Sequence, residues 1–337
     1  MCLRRIRTFI IAELSANHNQ DFDLAVKTIE AIAEAGADAV KIQTYKPESL
    51  VLNMDNEYFG TIQSGLWKGL RRYDLYKMAA TPYEWHPKLQ QIAQNLGLLF
   101  FSSPFDFEGV DLLVSMHVPI YKIASFEIND IPLIKYVAKQ GKPVIMSTGC
   151  ANIDDINLAI EACKEMGNEQ ITLLKCTSEY PASYDRVNLL TIPDMKKRFG
   201  LPVGLSDHTL GSVVPLTAVV LGAEVVEKHF ILDRSLGGAD SAFSMEPAEF
   251  RQMVNDIRNA ETSLGQVKYE ITEQERLKRR SLYAVEDIKK GDIFTSSNVR
   301  SLRPGYGLSP FFYEKLLGKE SVRNIKRGEP LTSEDLC

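Results

Sequence analysis

Residues 202–230 read PVGLSDHTLGSVVPLTAVVLGAEVVEKHF: two short apolar runs on either side of one connecting segment, each run closing on a cluster of polar groups. PVGLSD (202–207) and AEVVEKHF (223–230) have strand length, and the segment between them has room for one helix and its turns. The stretch therefore predicts a βαβ unit with parallel strands. Upstream, the same grammar recurs in TFIIAEL (8–14), DAVKIQT (38–44), LLFFSSP (98–104), PIYKIAS (119–125), PVIMST (143–148) and ITLLKCT (171–177). Together these are the eight strands of a closed (β/α)8 TIM barrel, an α/β fold.

The connections support this reading. DLAVKTIEAIAEAG (23–36) and NLAIEACKEMG (157–167) carry apolar residues at i, i+3, i+4 and i+7 and end on Gly, as amphipathic helices do. The gap between the second and third runs, residues 45–97, is longer than one helix and its loops. It holds the aromatic segment GLWKGLRRYDLYKMAATPYEWH (65–86), an insertion expected to overhang the active-site face of the barrel. The barrel domain is read as residues 1–265, with EFRQMVNDIRNAETSLG (249–265) as its last helix. A polar linker is expected over 266–280, and a small β-rich module over 281–337. In that module the phrases IKKGDIF and IKRGEPL, beginning at Ile288 and Ile325, suggest internal near-symmetry.

Composition narrows the class. With 45% apolar and 25% charged residues the chain is neither disordered nor fibrous, and its 337 residues exclude a single small module. A formal charge of -5 gives no overall positive field for nucleic acid or anionic membrane, so an anionic substrate needs local cations. The apolar stretch from Val213 is too short for a membrane span and carries Glu224. The start, MCLRRIRTFIIAELSANH, reads as a first strand rather than a signal peptide, because its apolar run is brief and ends at Glu13. Cys2, Cys150, Cys163, Cys176 and Cys337 are too far apart for a zinc or redox motif and point to a reducing cytoplasm.

Catalytic groups of a TIM barrel stand at the C-terminal ends of its strands, so the polar residues there are read as one ring. In strand order the ring comprises Glu13; Lys41 and Gln43; Ser102 and Ser103; Lys122, Ser125 and Glu127; Ser147 and Thr148; Thr177, Ser178 and Tyr180; Ser206, Asp207 and His208; and Glu227, Lys228 and His229. Two lysines inside apolar strands are costly to bury without an anion, which points to a phosphate- and carboxylate-bearing substrate among the nearby hydroxyls. The alternatives are lysines neutralised by Glu13 or Glu127, or a Schiff-base lysine. His208 and His229, ending adjacent strands, suit one divalent ion with positions left open for water and substrate. His18 is a further candidate to face the site, whereas His86 and His117 are expected on helix surfaces or connections. Asp240, in the Gly-rich loop LGGADSAFSMEP (236–247), suits a substrate-covering loop, and Arg303, in LRPGYG, is either a surface charge or a contact delivered in trans.

AELSANHN, DAVKIQTY, FSSPFD, YKIASFE, MSTG, LLKCTSEYP, GLSDHTLG, EKHF and the RPGYG module, in this order, resemble the sialic acid synthase family from about residue 8 to residue 336. The resemblance implies a TIM barrel joined to a C-terminal antifreeze-like (SAF) domain, in a domain-swapped homodimer where that domain caps the partner's barrel. It implies condensation of phosphoenolpyruvate with the open-chain aldehyde of an acylated amino sugar and water, giving a nonulosonic acid and phosphate. SANHNQ, KIQTYKPESL, the 65–86 insertion and SAFSMEP look most like the branch whose sugar is a 2,4-diacetamido-2,4,6-trideoxyaltrose. The branches using N-acetylmannosamine or the 6-deoxy diacetamido mannose are the alternatives.

Carried over by motif, Lys41, Ser103, Lys122, Ser125, Ser147 and Ser206 would hold phosphoenolpyruvate. His208 and His229 would bind Mn2+, or Mg2+ or Co2+. Glu13, Gln43, Glu127, Tyr180, Asp240 and the partner-delivered Arg303 would surround the acceptor or the reacting carbons. Ser178 stands where the N-acetylneuraminate branch has asparagine. Glu13 or Glu127 would manage the proton of the added water. A metal-dependent TIM-barrel aldolase, which would release no phosphate, and an inactive sugar-binding barrel are the competing readings.

Overall fold

The computed structural model describes residues 7–336, so Cys2, Cys337 and the start of the N-terminal basic cluster lie outside the described residues. Eight parallel strands close into a barrel in sequence order. They are β1 (Phe9–Glu13), β2 (Ala39–Thr44), β3 (Leu99–Pro104), β4 (Tyr121–Ile123), β5 (Val144–Ser147), β6 (Ile171–Cys176), β7 (Val203–Asp207) and β8 (Val225–His229). Each falls within its sequence-predicted run. The fourth is the shortest, because Ser125–Glu127 leaves the strand as a 3-10 turn.

Helix Phe22–Glu34 shows how the sequence builds the outer layer. The Asp21 carboxylate accepts from the backbone N–H groups of Asp23 and Leu24, and Ala25, Thr28, Ile29 and Ile32 form the buried stripe. The insertion after β2 contains a short helix Pro47–Leu50, an antiparallel bridge between Thr61 and Arg71, and helices Arg72–Ala79 and His86–Asn95. The last of these packs on Phe22–Glu34. The sequence from residue 45 to residue 85 is therefore the true extra segment.

Inside the barrel, Ile11, Ala39, Phe101, Ile145, Leu174 and Val225 form an apolar plug. On β7 this level is Gly204, where a Cβ would come within 2.4 Å of the Val225 carbonyl oxygen and 2.8 Å of Leu174 Cδ2. Side chains in strands alternate faces, so the residues two positions further on project inward at the next level. These are Glu13, Lys41, Ser103, Ser147, Cys176, Ser206 and Glu227, every one of them polar or sulfur-bearing. An apolar floor under a polar rim is thus written in a period of two.

The described chain divides into two compact units, residues 1–265 and 266–337. In the second, β9 (Ser281–Ala284) pairs antiparallel with β10 (Val299–Leu302). Ile288 and Ile325, the first residues of the two similar phrases, bridge each other directly. Leu282, Phe294, Val299, Leu316 and Leu331 complete the small core with them. The segment read as a linker holds a short helix, Glu273–Leu277, and Arg276 donates to the Gly305 carbonyl at 2.9 Å.

Candidate active site

The polar rim opens into a cavity of about 500 Å3 at the C-terminal ends of the strands. Glu13, Lys41, Gln43, Lys122, Ser125, Glu127, Ser147, Tyr180, Ser206, His208, His229 and Asp240 all line it. Of the first unit's residues anticipated from the sequence, Ser103 and Ser178 do not, nor do Ser102, Thr148, Thr177, Asp207, Lys228 and His18. Ser103 is buried on the inner face, its hydroxyl without a hydrogen-bond partner. Ser178 lines a neighbouring cavity of about 360 Å3, its Oγ 3.8 Å from the Cys176 sulfur. Arg303 belongs to the second unit, where it is exposed.

Four charged groups form the centre. Lys41 Nζ lies 3.0 Å from Glu13 Oε2 and 3.2 Å from Glu227 Oε1, and Lys122 Nζ lies 3.4 Å from the same Glu227 oxygen. Ser206 donates to that oxygen at 3.1 Å, and Lys122 donates to Ser147 Oγ at 2.7 Å. The carboxylate that joins the two lysines is therefore Glu227, and no ion pair joins Lys122 to Glu127 among the described residues. Glu227 stands in the polar ring read from the sequence but was not singled out there. The signal was its position two residues before His229, which puts both on the inner face.

The remaining ring members separate by the same parity. Ser102 faces outward, bonding the Ile42 carbonyl and Thr44. Lys228 and Asp207 pair with each other at 2.5 Å outside the barrel lumen. Neither pair lines the cavity.

Burial and neighbours set the charge states. Burial alone would raise the Glu13 carboxyl, but Lys41, then His229, the Gln43 hydrogen bond and Lys122 hold it far below the ordinary range. Burial disfavours the Lys41 cation, yet Glu13 and Glu227 outweigh it and raise its pKa. Lys122 is shifted down, by burial first, with Glu227 opposing and Lys41 adding to it. Glu127 differs from these: burial pushes its carboxyl up to about 7, against the weaker pull of Lys122. Its Oε2 is sealed from solvent and has no hydrogen-bond partner.

A chain of polar contacts links β1 to the loop after β8. Gln43 Nε2 donates to Glu13 Oε1 and to Ser15 Oγ, both at 2.9 Å, and Ser15 donates to Asp240 Oδ2 at 2.5 Å. Ser15, given no role by the sequence although it lies in AELSANHN, has φ of 49°, the left-handed backbone that turns the chain over the barrel mouth.

The two histidines meet as anticipated, with ring centroids 5.3 Å apart. His208 Nδ1 lies 3.0 Å from the Thr177 carbonyl oxygen, so this nitrogen carries the proton and the lone pair falls on Nε2. His229 Nδ1 is buried without a hydrogen-bond partner, 3.6 Å from Asp240 Oδ2, while its Nε2 lies 3.3 Å from Glu13 Oε2. Among the described residues no three His, Cys, Asp or Glu gather into one ligand set. The donors that suit a divalent ion are the Nε2 of His208 and the orphaned Nδ1 of His229, two imidazoles that leave the other positions to water and substrate.

Of the other histidines, His117 is exposed, as expected, and His18 and His86 are structural. His18 is buried, 3.2 Å from Thr81 Oγ1 and edge-on to Trp85, and does not reach the cavity. His86, expected on a surface, is fully buried and bonds Thr44 Oγ1 at 2.8 Å. Burial lowers both imidazoles to about 4.

A family model described as the NeuB family matches residues 28–269, and one described as the SAF domain matches residues 279–336. The chain belongs to the NeuB family. This bears out the resemblance carried by the nine sequence blocks. A pseudaminic acid synthase of Campylobacter jejuni is 48% identical over 332 residues, covering 98% of this chain and 96% of the relative. One of Helicobacter pylori is 45% identical and covers 97% of each chain. Among solved structures, an N-acetylneuraminic acid (sialic acid) synthetase from Leptospira borgpetersenii aligns with a TM-score of 0.72 at 34% identity, covering 81% of this chain and 90% of that one. The NeuB-family barrel therefore carries its SAF domain in the order the sequence predicted. Among the described residues, no helix is long and apolar enough to cross a membrane.

Proposed function

We propose that this chain is a pseudaminic acid synthase. It condenses phosphoenolpyruvate with 2,4-diacetamido-2,4,6-trideoxy-β-L-altropyranose, reacting as the open-chain aldehyde, and with water, and it gives pseudaminic acid and phosphate. The observation that carries the reading is the polar rim itself: two buried lysines, a row of hydroxyls and a histidine pair in one cavity, on a chain 48% identical to a synthase of that name.

The chain's own groups divide the work. Lys41 and Lys122, with Ser125, Ser147 and Ser206 around them, hold the phosphate and carboxylate of phosphoenolpyruvate; Ser103 lies on the same inner face, and Ser178 borders the Cys176 side of this pocket. Glu13 and Glu227 keep both ammonium groups in place before substrate arrives. Gln43, Tyr180 and Asp240 orient the acceptor along the contact chain that runs through Ser15. Bound by His208 and His229, a divalent ion, Mn2+ with Mg2+ or Co2+ as alternatives, would supply Lewis acidity to the aldehyde oxygen.

As C3 of phosphoenolpyruvate forms the new carbon–carbon bond, positive charge grows at C2, where the permanent carboxylate of Glu13 favours it. Water adds at C2, the C2–O bond to the phosphate group then breaks to release phosphate and leave the C2 ketone, and the group that takes the water's proton must exchange protons near neutrality. Glu127 meets that requirement, with a carboxyl pushed up to about 7. Glu13, held far below the ordinary range, is the fixed charge of the pair. In a swapped homodimer, Arg303 would reach the partner's acceptor.

The test mixes metal-stripped protein with Mn2+, phosphoenolpyruvate and, separately, the 6-deoxy diacetamido altrose, its mannose counterpart and N-acetylmannosamine, and measures phosphate. Release with the altrose alone is expected. Release with another sugar would move the branch, and silence with all three would return weight to an aldolase.

A further inference from the structure

The eight strands deliver polar groups to the cavity, yet one wall of it is apolar, and that wall comes from the segment inserted between β2 and β3. Leu50, Ile62, Trp67, Leu75 and Tyr76 all face the cavity, with Arg72 the one charged side chain the insertion adds to its lining, and none belongs to a strand of the barrel. The wall is built rather than incidental. Ile62 N–H donates to the Leu70 carbonyl and Gly69 N–H to the Ile62 carbonyl, both at 2.9 Å, so a backbone ladder fixes where Ile62 points. At the tip, Trp67 Nε1 donates to the Ala239 carbonyl at 2.8 Å, and its ring lies 5.5 Å from that of Tyr180. The insertion is thereby fastened to the loop that carries Asp240.

We propose that this wall is the specificity subsite for the deoxygenated end of the acceptor: Leu50 and Ile62 pack against its C6 methyl, where a 6-hydroxy sugar would bring an alcohol. The inference rests on the synthase reading above. Phosphoenolpyruvate has no alkyl group to place there, and its charges belong at the lysine floor. The acceptor's C6 methyl ends its carbon chain with no polar atom beside it, whereas the methyls of its two acetamido groups each sit on a carbonyl that needs a hydrogen-bond partner. A C6 hydroxyl brought against these side chains would give up its water without gaining a partner. An apolar wall discriminates against an added hydroxyl by roughly 10- to 100-fold. Tyr83 and Trp85, the other large aromatics at the end of the insertion, do not line the cavity. Tyr83 meets His86 edge-on, and Trp85 packs edge-on against Phe22 and His18.

The experiment compares kcat/KM for the 6-deoxy diacetamido altrose and its 6-hydroxy counterpart, at saturating phosphoenolpyruvate and Mn2+, by phosphate release. Wild type is expected to prefer the 6-deoxy sugar by about 10- to 100-fold. Ile62→Asn and Leu50→Asn should each cut that ratio several-fold while leaving the KM for phosphoenolpyruvate unchanged. No preference in wild type, or variants of unaltered melting temperature that keep the full ratio or lose both sugars equally, would overturn the subsite while leaving synthase activity standing. Silence with every acceptor would instead remove the synthase reading, and this inference with it.

Discussion

Glu227 Oε1 sits 3.2 Å from Lys41 Nζ and 3.4 Å from Lys122 Nζ, a single carboxylate oxygen facing two buried ammonium groups. Without it, Lys122 keeps hydrogen bonds to the Ser147 hydroxyl and the Ile123 carbonyl and the weaker pull of Glu13, against the like charge of Lys41. Removing one member of a buried ionic cluster typically costs about 3–5 kcal/mol, because the charges left behind are uncompensated. Glu227→Gln should therefore lower stability by that order in urea denaturation. Adding Lys122→Met should restore part of the loss, since the two sites share one interaction. Purely additive losses in the double variant would show that the pair is not coupled.

Glu127 gives a pH signature of known sign. Its carboxyl is raised by burial from the ordinary range to about 7, so between roughly pH 4.5 and pH 7 the unfolded chain releases this proton while the folded chain keeps it. The unfolded state then binds fewer protons, and this group's contribution to stability falls across that window and is constant above it. Glu127→Gln abolishes the effect. Relative to wild type, the variant should gain stability from pH 4.5 to pH 7 and gain nothing more between pH 7.5 and 9. A stability difference flat across the whole range would place the Glu127 carboxyl outside the neutral region. In activity, kcat/KM of the wild type should show an inflection near pH 7 that this variant lacks.

How far the sequence reached is best seen along one strand. In β8, the run VVEKH fixes both a buried strand and a histidine at its C-terminal end, and both stand where the pattern puts them. The same pattern held the answer for Glu227 and Lys228, because alternation sends the first inward and the second outward, but a list of polar residues at a strand end does not separate them. Contacts between distant segments were less legible. Trp67 bonding Ala239 joins residues 172 positions apart, and Ser15 meeting Asp240 joins residues 225 apart. No local period encodes either. His86 misled for a related reason: a lone histidine at a helix start reads as surface, and only the tertiary bond to Thr44 makes it core.

Gly149 carries a prediction about close approach. A Cβ built there would lie 2.3 Å from Ser178 Oγ, 2.9 Å from Ser125 Oγ and 3.1 Å from Cys176 Sγ, while its own N–H donates to Ser125 at 3.1 Å. Gly149→Ala must displace Ser125 or Ser178, an overpacking that typically costs about 1–3 kcal/mol. The variant should melt lower and show a raised KM for phosphoenolpyruvate, with the KM for the sugar less affected. Because Ser178 Oγ makes the worst contact, Gly149→Ala combined with Ser178→Ala should recover much of both losses. No recovery in the double variant would assign the effect to Ser125 or the backbone.

Trp67 is one of only two tryptophans in the chain, and their environments differ in a way that can be read optically. Trp85 is wedged between Phe22 and His18 in the barrel's outer layer, whereas Trp67 lines the cavity and leans on Tyr180. In a Trp85→Phe background, the emission should come from Trp67 alone and should change on acceptor binding, as the indole exchanges water for sugar. Phosphoenolpyruvate, held at the lysine floor, should change it less. In Trp67→Phe the ring contact with Tyr180 can persist, but the 2.8 Å bond to the Ala239 carbonyl is lost. A lost hydrogen bond is worth roughly 0.5–1.5 kcal/mol, or about 2- to 12-fold in an equilibrium constant. That is the expected rise in KM for the sugar, with kcat nearly unchanged, because the bond ties a wall in place and touches no reacting atom. A fall in kcat with KM unaltered would mean that the insertion acts on the chemical step itself, and the wall would then have to be reassigned from positioning the acceptor to closing over the reaction.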